Sequence, residues 1–254
     1  MKYLLLIGSL FFITGNLFSL TPGKWSHMDR YVLGYEKNGP VKEIVRNTEG
    51  KVTYIAEYDY DSEGKLVKEK YSDKDGKSDG ETIFIYEKNK VVAEELYNSE
   101  KVLKEKRKYK YNSNGDLTEI DLYSGEGKLL VKSKIHSFSN GLVTEAETVW
   151  AENKETESFA IKKDEKLPNV YNQSIFDDNK KLTAEVKYTY DKNGKLQQRE
   201  NLQGNQIRLN KLSYNGLGKL DSFSFHVKQG EKWSLLKTHH LIYKQNSILQ
   251  NNPN

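Results

Sequence analysis

Three stretches of the chain share one pattern: Tyr58–Leu66 (YDYDSEGKL), Tyr109–Leu117 (YKYNSNGDL) and Tyr188–Leu196 (YTYDKNGKL). In each stretch a tyrosine precedes an Asp or Asn, and a glycine follows that residue three positions later. An Asp or Asn side chain bonds its own backbone in a tight turn, and glycine adopts positive φ without steric cost. The pattern therefore predicts a reversal of the chain between two strands.

Weaker copies of the pattern extend it into a repeat: FIYEKNKV from Phe84, SFSNGL from Ser137 and SYNGLGKL from Ser213. The equivalent turn positions Gly39, Gly64, Lys90, Gly115 and Gly141 are spaced by 25, 26, 25 and 26 residues. A second series, Gly50, Gly76, Lys101 and Gly127, runs between them with spacings of 26, 25 and 26. Two turns per period indicate one hairpin per repeat.

The segments between the turns have the length and the Tyr, Val, Ile and Leu content of strands. The chain has room for about 16 to 18 of them, and open sheets beyond about ten strands usually curl or split. The sequence therefore predicts an all-β protein: repeated antiparallel β-hairpins that form a long, twisted, curled meander sheet or an open barrel.

A register follows if the loop is the four residues Asn112–Gly115. It places Lys108 opposite Glu119 and Lys106 opposite Asp121 on one face. The same count at the Gly64 turn places Glu57 opposite Lys68. Each such opposite-charge pair contributes roughly 0.2 to 1 kcal/mol, so many of them stabilise a sheet with a thin core.

Composition limits the classes of function. The 254 residues include 40 Lys and Arg against 36 Asp and Glu, for a formal net charge of +4. This balance excludes a nucleic-acid binder that acts through bulk charge. The chain has no cysteine, which excludes disulfides, zinc–thiolate sites and a thiol nucleophile.

The first residues predict export. Lys2 precedes the largely apolar stretch Tyr3–Phe18, which is short for a membrane span of about 20 residues. We expect residues 1–19 to be a signal peptide cleaved near Ser19, with an uncleaved anchor as the alternative. Residues 20–254 are expected to form a single hairpin-repeat domain without a membrane span. The spacing breaks at 152–171, which is a candidate lobe boundary.

The Tyr-Asp-x-x-Gly-Lys-Leu copies resemble the YD repeats of Rhs-type bacterial surface and secreted proteins. Very long arrays in that family wind into a hollow shell around a toxin, and this chain is too short to enclose one. The Lys- and Glu-rich hairpins behind a signal sequence are also similar in style to exported spirochaete surface proteins. Both resemblances imply a bacterial protein that is surface-bound, secreted or periplasmic.

No catalytic, metal or cofactor site is evident in the sequence. Asp75–Ser78 ends like a phosphate-binding loop but lacks its first glycine. The segment with Asp73, Asp75, Asp79 and Glu81 has no carboxylate at the first and last positions of a calcium-binding loop. We therefore expect an ordinary turn there. The five histidines, His27, His136, His226, His239 and His240, have no predicted catalytic or metal partners, and we expect no cofactor.

A basic stripe is the best candidate for ligand binding: Lys104, Lys106, Lys108 and Lys110, with Arg107 within the run. On a strand the four lysines share one face at intervals of about 7 Å, a spacing suited to sulfated glycans, acidic lipid headgroups or acidic protein segments. The alternative is surface charge that is compensated by the acidic strand opposite.

Two functions are favoured, and an enzyme whose carboxylates meet in the hollow of a curled sheet is the further alternative. The first is a non-enzymatic surface or secreted binding protein, a candidate adhesin for host matrix, plasma protein or sulfated glycan. The second is an envelope scaffold or chaperone-like module that pairs a sheet edge with other envelope proteins. An outer-membrane barrel is excluded, because the segment 103–111 carries lysines on one face and Glu105 and Arg107 on the other.

Overall fold

The computed structural model describes residues 39–139 and 142–244, which form sixteen β-strands. The strands are β1 (Lys42–Asn47), β2 (Val52–Tyr60), β3 (Leu66–Asp73), β4 (Ser78–Glu87), β5 (Lys90–Asn98), β6 (Leu103–Tyr111), β7 (Leu117–Ser124), β8 (Leu129–Ser139), β9 (Leu142–Trp150), β10 (Thr156–Lys163), β11 (Val170–Phe176), β12 (Leu182–Tyr190), β13 (Leu196–Gln203), β14 (Gln206–Tyr214), β15 (Leu220–Gln229) and β16 (Lys232–Ile242). The predicted signal peptide at 1–19 lies outside the described residues.

The strands form one antiparallel meander that closes into a barrel. Each strand pairs with the next, and β1 pairs with β16 from Lys42 opposite Ile242 to Asn47 opposite Lys237. The all-β hairpin repeat is thus confirmed, and the sheet is closed rather than open. The candidate lobe boundary at 152–171 contains β10, which pairs with both β9 and β11, so the ladder is continuous there.

The hairpin turns explain the Asp/Asn and Gly positions of the repeat. Asp61 accepts hydrogen bonds from the backbone N–H groups of Glu63 and Lys65, both at 2.9 Å. Gly64 follows with φ of 79°, in the left-handed region that glycine favours. Lys101 occupies the equivalent position with φ of 62°, and its N–H donates to Asn98 as that of Gly64 does to Asp61. A lysine therefore takes the place of glycine without a change of turn.

The predicted register was wrong by two residues. The backbone of Asn112 bonds that of Asp116, which makes the turn one residue longer than expected, and the register shifts between Lys110 and Tyr111. Lys108 lies opposite Asp121, and Lys106 lies opposite Tyr123. Glu57 likewise lies opposite Lys70 rather than Lys68. A shift of two keeps every side chain on its predicted face, because side chains alternate with a period of two.

The two faces of the wall differ sharply. On β2 the inward Ala56 and Tyr58 are buried, whereas the outward Glu57 and Asp59 are exposed. On β6 the inward Arg107 and Tyr109 are buried, whereas Lys108 and its outward neighbours are exposed or half-buried. Apolar and aromatic residues thus fill most of the inside, together with a few buried polar side chains such as Arg107, and charged residues cover the outside.

The inward side chains form a packed core rather than the lining of a channel. A round barrel of sixteen strands leaves an aqueous lumen. Here, however, the inward residues are largely shut off from solvent: Ala56, Tyr58, Phe84, Tyr109, Ile175, Val186 and Phe223 are at most 4% exposed. This burial requires opposite walls of the barrel to pack against each other, as stacked sheets do at about 10 Å.

At one rim, tyrosines connect successive hairpins. The Tyr111 hydroxyl donates to the carbonyl of Val91, and that of Tyr214 to the carbonyl of Leu196, each at 2.8 Å. The lysine of the preceding hairpin lies over each ring: the ammonium of Lys195 is 5.0 Å from the ring centre of Tyr214. These contacts give the motif's tyrosine and lysine a role in packing one repeat on the next.

Candidate functional site

Buried polar side chains line the seam where the barrel closes. The carboxylate of Glu43 on β1 accepts hydrogen bonds from the Tyr58 hydroxyl and from Nδ1 of His239. All three side chains are at most 3% exposed. Burial, followed by the Glu43 charge, raises the pKa of Tyr58 well above 10, and burial lowers the pKa of His239. A protonated tyrosine and a neutral histidine therefore hold the carboxylate, and β1 is fastened to both neighbours.

A second polar cluster lies beside it on β3 to β6. The Tyr71 hydroxyl donates to Glu69 at 2.6 Å and lies 2.5 Å from the Thr82 hydroxyl, and Arg107 pairs with Glu94 at 3.2 Å. A cavity of about 20 Å³ lies among them, lined by Glu69, Thr82, Phe84, Glu94, Leu96, Glu105 and Arg107. That volume holds about one water molecule, whereas ligand pockets measure roughly 300 to 1,000 Å³. The cluster therefore serves packing.

Sequence reasoning missed these inward carboxylates. Glu43, Glu69 and Glu94 are spaced by 26 and 25 residues, the same period as the turns. Acidic residues recurring at the repeat period on the face that also carries the motif's first tyrosine were the available signal. It was obscured because each residue alone is typical of a solvated strand.

Glu157 on β10 is a buried carboxyl of a different kind. It is 7% exposed and lies opposite Thr148 on the inner wall. Burial alone raises its pKa from 4.5 to about 8. The group is therefore mostly protonated at neutral pH, and it couples the stability of the barrel to pH.

The structure places the four lysines of the basic stripe on the outer face, as their alternation predicts. Lys106 pairs with Glu95 at 2.6 Å. Lys110 pairs with Glu119, and it lies 3.3 Å from Asp121. These two lysines are thus compensated by neighbouring strands, while Arg107 points into the barrel. The stripe therefore consists of Lys104, Lys106, Lys108 and Lys110 without Arg107.

Two lysines of the stripe, Lys104 and Lys108, form no ion pair within the described part of the chain. Within 39–139 and 142–244, no Asp or Glu lies within ion-pair distance of Lys104 or Lys108. The ammonium of Lys108 instead lies 5.0 Å from the ring centre of Tyr123. A cation over an aromatic ring keeps its charge, so Lys108 presents a positive charge outside any ion pair of the described residues, while Lys104 interacts electrostatically with Glu126.

The segment that resembled a phosphate or calcium loop is a hairpin turn. Asp73 accepts hydrogen bonds from the N–H groups of Asp75 and Lys77, each at 2.9 Å. Asp79 accepts one from the Tyr54 hydroxyl at 3.0 Å. Among the described residues, no group of three or more His, Asp or Glu side chains is arranged to hold a metal ion.

The histidines are dispersed as the strand alternation predicts. His239 is buried, and the adjacent His240 is exposed on the other face of β16. Nε2 of His226 lies 2.8 Å from the Ser224 hydroxyl. His27 lies outside the described residues.

The outer face carries charge networks from strand to strand. Lys70 pairs with Asp59 at 2.8 Å, Lys101 with Glu81 at 2.8 Å, and Lys132 with Glu119 at 3.0 Å. Transmembrane barrels show the reverse pattern, with an apolar band outside and polar residues inside. This outer wall is suited to water. No helix in the described part of the chain is long and apolar enough to cross a membrane.

Comparison with known proteins gives the fold and no more. No protein-family model and no curated sequence matches the chain. The crystal structure of a porin-like protein from Bacteroides uniformis ATCC 8492 superimposes with a TM-score of 0.55 and 9% identity, over 83% of this chain and 98% of that one. At this identity the similarity concerns the barrel fold alone.

Two further matches come from much longer chains. In the TcdB2–TccC3–Cdc42 structure the match covers 76% of this chain and 15% of that one, with 10% identity and a TM-score of 0.26. In TcdB2–TccC3 without its hypervariable C-terminal region the match covers 78% and 12%, with 13% identity and a TM-score of 0.32. These TM-scores are too low to carry an argument about this chain. The chain is thus defined by its architecture: a closed, filled, antiparallel barrel of hairpin repeats with a charged exterior.

Proposed function

We propose that the protein is a non-enzymatic binding protein, exported by a bacterium, that engages an anionic partner with its outer wall. The observation that carries the proposal is that the interior of the barrel is packed, while charged side chains cover its outer face. Side chains that would line a substrate cavity instead fill the interior, so the chemistry of the described residues is displayed outside. The sequence expectation of an N-terminal signal peptide supports export.

The basic stripe is the surface that this function would use. Lys104 and Lys108 lie four residues apart on one strand face, about 13 Å from one another. Lys106 lies between them and shares its charge with Glu95. A sulfated glycan presents anionic groups along a chain, and so matches a row of cations better than a compact ligand does. The finer proposal is therefore an adhesin for sulfated glycan.

Binding of the mature chain to immobilised heparin, measured by biolayer interferometry across salt concentrations, tests the proposal. Saturable binding is expected, weakened as salt screens the charges. The double variant Lys104→Gln/Lys108→Gln is expected to lose about tenfold in affinity. Lys162→Gln/Lys163→Gln is the matched control, since it removes two exposed lysines from β10.

The two possible failures are distinct. Equal loss in both double variants would show that bulk charge, and not the stripe, binds the glycan. Absence of saturable binding at low salt would reject the glycan proposal outright.

A further inference from the structure

The hairpin of β15 and β16 projects beyond the rest of its rim. Pairing between β16 and β1 ends at Lys237 opposite Asn47. The residues Lys232–Leu236 continue past that point. The first four of them pair with β15 only, and Leu236 lies in the bulge. At an ordinary junction the overhang is smaller: on β12 only Leu182 and Thr183 precede the first pair with β13. Lys232–Leu236 therefore presents a free edge beside β1, as Ile135–Ser139 of β8, which pair with β9 only, do beside β7.

Near the tip of this hairpin, outward side chains of β16 are apolar. Trp233 and Leu235 are each 37% exposed, and the bulged Leu236 is 49% exposed. The same outer face continues across the neighbouring strands. Leu235 lies opposite His226 on β15, and His226 lies opposite Leu209 on β14. Ile207 and Leu202 pair with each other on the next two strands. These residues form an apolar patch beside the free edge.

His226 lies at the centre of the patch and leaves it uncharged. Burial, and secondarily the charge of Lys211, lowers the pKa of His226. The imidazole is therefore neutral at pH 7. Two positive charges lie at the tip end of the patch, since Lys228 and Lys232 are exposed there with the acidic Glu231 between them.

We propose that the free edge Lys232–Leu236 is a docking site for an extended segment of a partner protein, with apolar residues at alternate positions and acidic residues at its ends. The segment would add a strand antiparallel to β16, as in other cases of strand addition. Its outward apolar side chains would pack beside Trp233 and Leu235. Its acidic ends would meet Lys228 and Lys232.

Two other occupants fit less well. A second copy would bring two positively charged tips together, which like-charge repulsion opposes. A lipid surface would accept Trp233 and the leucines. However, its hydrocarbon region offers no partner for the backbone N–H and C=O groups of the edge. An added strand satisfies these groups and the apolar side chains at once.

Selection from a random dodecapeptide library displayed on phage tests the inference. The mature protein is the bait, and clones that also bind the Trp233→Glu/Leu235→Glu variant are removed. We expect enriched peptides to alternate apolar and polar residues, to carry Asp or Glu at their ends, and to lose at least about tenfold in affinity for the variant. Leu182→Glu is the matched control, because Leu182 is 45% exposed at the same rim.

Several results would overturn the inference. One is a selection that yields no clone dependent on Trp233 and Leu235, and another is a set of peptides that Leu182→Glu weakens equally. Synthetic versions with N-methyl groups on alternate backbone nitrogens are expected not to bind, and unchanged affinity would exclude strand addition. Sedimentation of the protein with anionic phospholipid vesicles, or self-association abolished by Trp233→Glu/Leu235→Glu, would assign the patch to lipid or to a second copy instead.

Discussion

At Gly80 the wall leaves no room for a side chain. Its φ of 140° lies where L side chains are rare, and an added Cβ would fall well inside 3.0 Å of the Tyr97 carbonyl oxygen on the next strand. Gly76, in the turn just before, also has a positive φ, of 81°, but an added Cβ there would meet nothing within 4 Å. The two positions separate steric clash from backbone preference.

Alanine at each position is expected to give different costs. Gly76→Ala should lower the free energy of unfolding by about 1 to 2 kcal/mol, the cost of a left-handed residue with a side chain. Gly80→Ala should cost clearly more, because two strands must also separate locally. Urea unfolding followed by circular dichroism measures both values. Equal costs would mean that the β4–β5 pair yields without strain.

Glu157 makes the stability of the barrel depend on pH. Its pKa is about 8 in the folded chain, against 4.5 for the ordinary carboxyl. Below pH 4.5 both states are protonated, and the contribution is fully present. As pH rises toward 8 the unfolded state has lost its proton and the folded state retains it. The free energy of unfolding therefore falls, by up to about 1.4 kcal/mol per pH unit.

Glu157→Gln is expected to remove this slope. The variant should match the original protein near pH 4.5 and be more stable by an amount on the order of 3 kcal/mol at pH 8. Urea unfolding at successive pH values gives the comparison, with Glu165→Gln as control, since Glu165 is exposed in a loop. Parallel pH profiles for the original protein and Glu157→Gln would refute the assignment.

At the scale of the element, the repeat is a hairpin that carries its own connector. Tyr214 reaches back to the Leu196 carbonyl, while Lys195 lies over the Tyr214 ring and donates to the Gly218 carbonyl. This contact joins the β12–β13 hairpin to the β14–β15 hairpin by one hydrogen bond and one cation over a ring, and Lys90 and Tyr111 repeat it between the β4–β5 and β6–β7 hairpins. The hydrogen bond and the cation–ring contact thus add to strand pairing at this rim.

A double-mutant cycle tests the connector. Tyr214→Phe should cost about 1 kcal/mol, because the Leu196 carbonyl loses its partner. Lys195→Met should cost about 0.5 to 1 kcal/mol. The double variant should cost less than the sum, by about 0.5 kcal/mol. Thermal and urea unfolding supply the values, and Lys192→Met in the same turn is the control. Strict additivity would show that the two contacts are independent.

Elements could be predicted from the sequence where local chemistry decides. Turns at Asp61–Gly64 and Asn112–Gly115 follow from residue types alone, and so do the alternating faces between them. Pairing could not be predicted to the residue, because the backbone bond from Asn112 to Asp116 and the shift at Tyr111 add positions that the motif leaves unmarked. The partners predicted for Lys106 and Lys108 were Asp121 and Glu119. Because partners depend on that register, the structure instead pairs Lys106 with Glu95 and Lys110 with Glu119.

At the scale of the whole molecule, the closure of the barrel could not be predicted from the sequence repeat. Every hairpin has the same inward and outward faces whether the meander stays open or closes. The deciding residues lie far apart: Glu43 comes from the first strand, and His239 comes from the last. The outer wall, by contrast, followed from the alternation of Lys104, Lys106, Lys108 and Lys110.

The charged wall predicts behaviour in solution. The mature chain is expected to stay monodisperse without detergent and to produce no stepwise conductance in a planar lipid bilayer, because lipid would have to cover its outward lysines and carboxylates. Sedimentation velocity and single-channel recording check the two statements. A requirement for detergent, or discrete conductance steps, would contradict a barrel whose outer wall faces water.

The seam between β1 and β16 also governs how the molecule is assembled. It joins Lys42 to Ile242, so a loop of about 200 residues must close before the first strand gains its second neighbour, at an entropic cost of roughly 5 kcal/mol. A nascent chain has no means of meeting that demand until its final hairpin has left the ribosome. Until then the leading strand stays available to wrong partners.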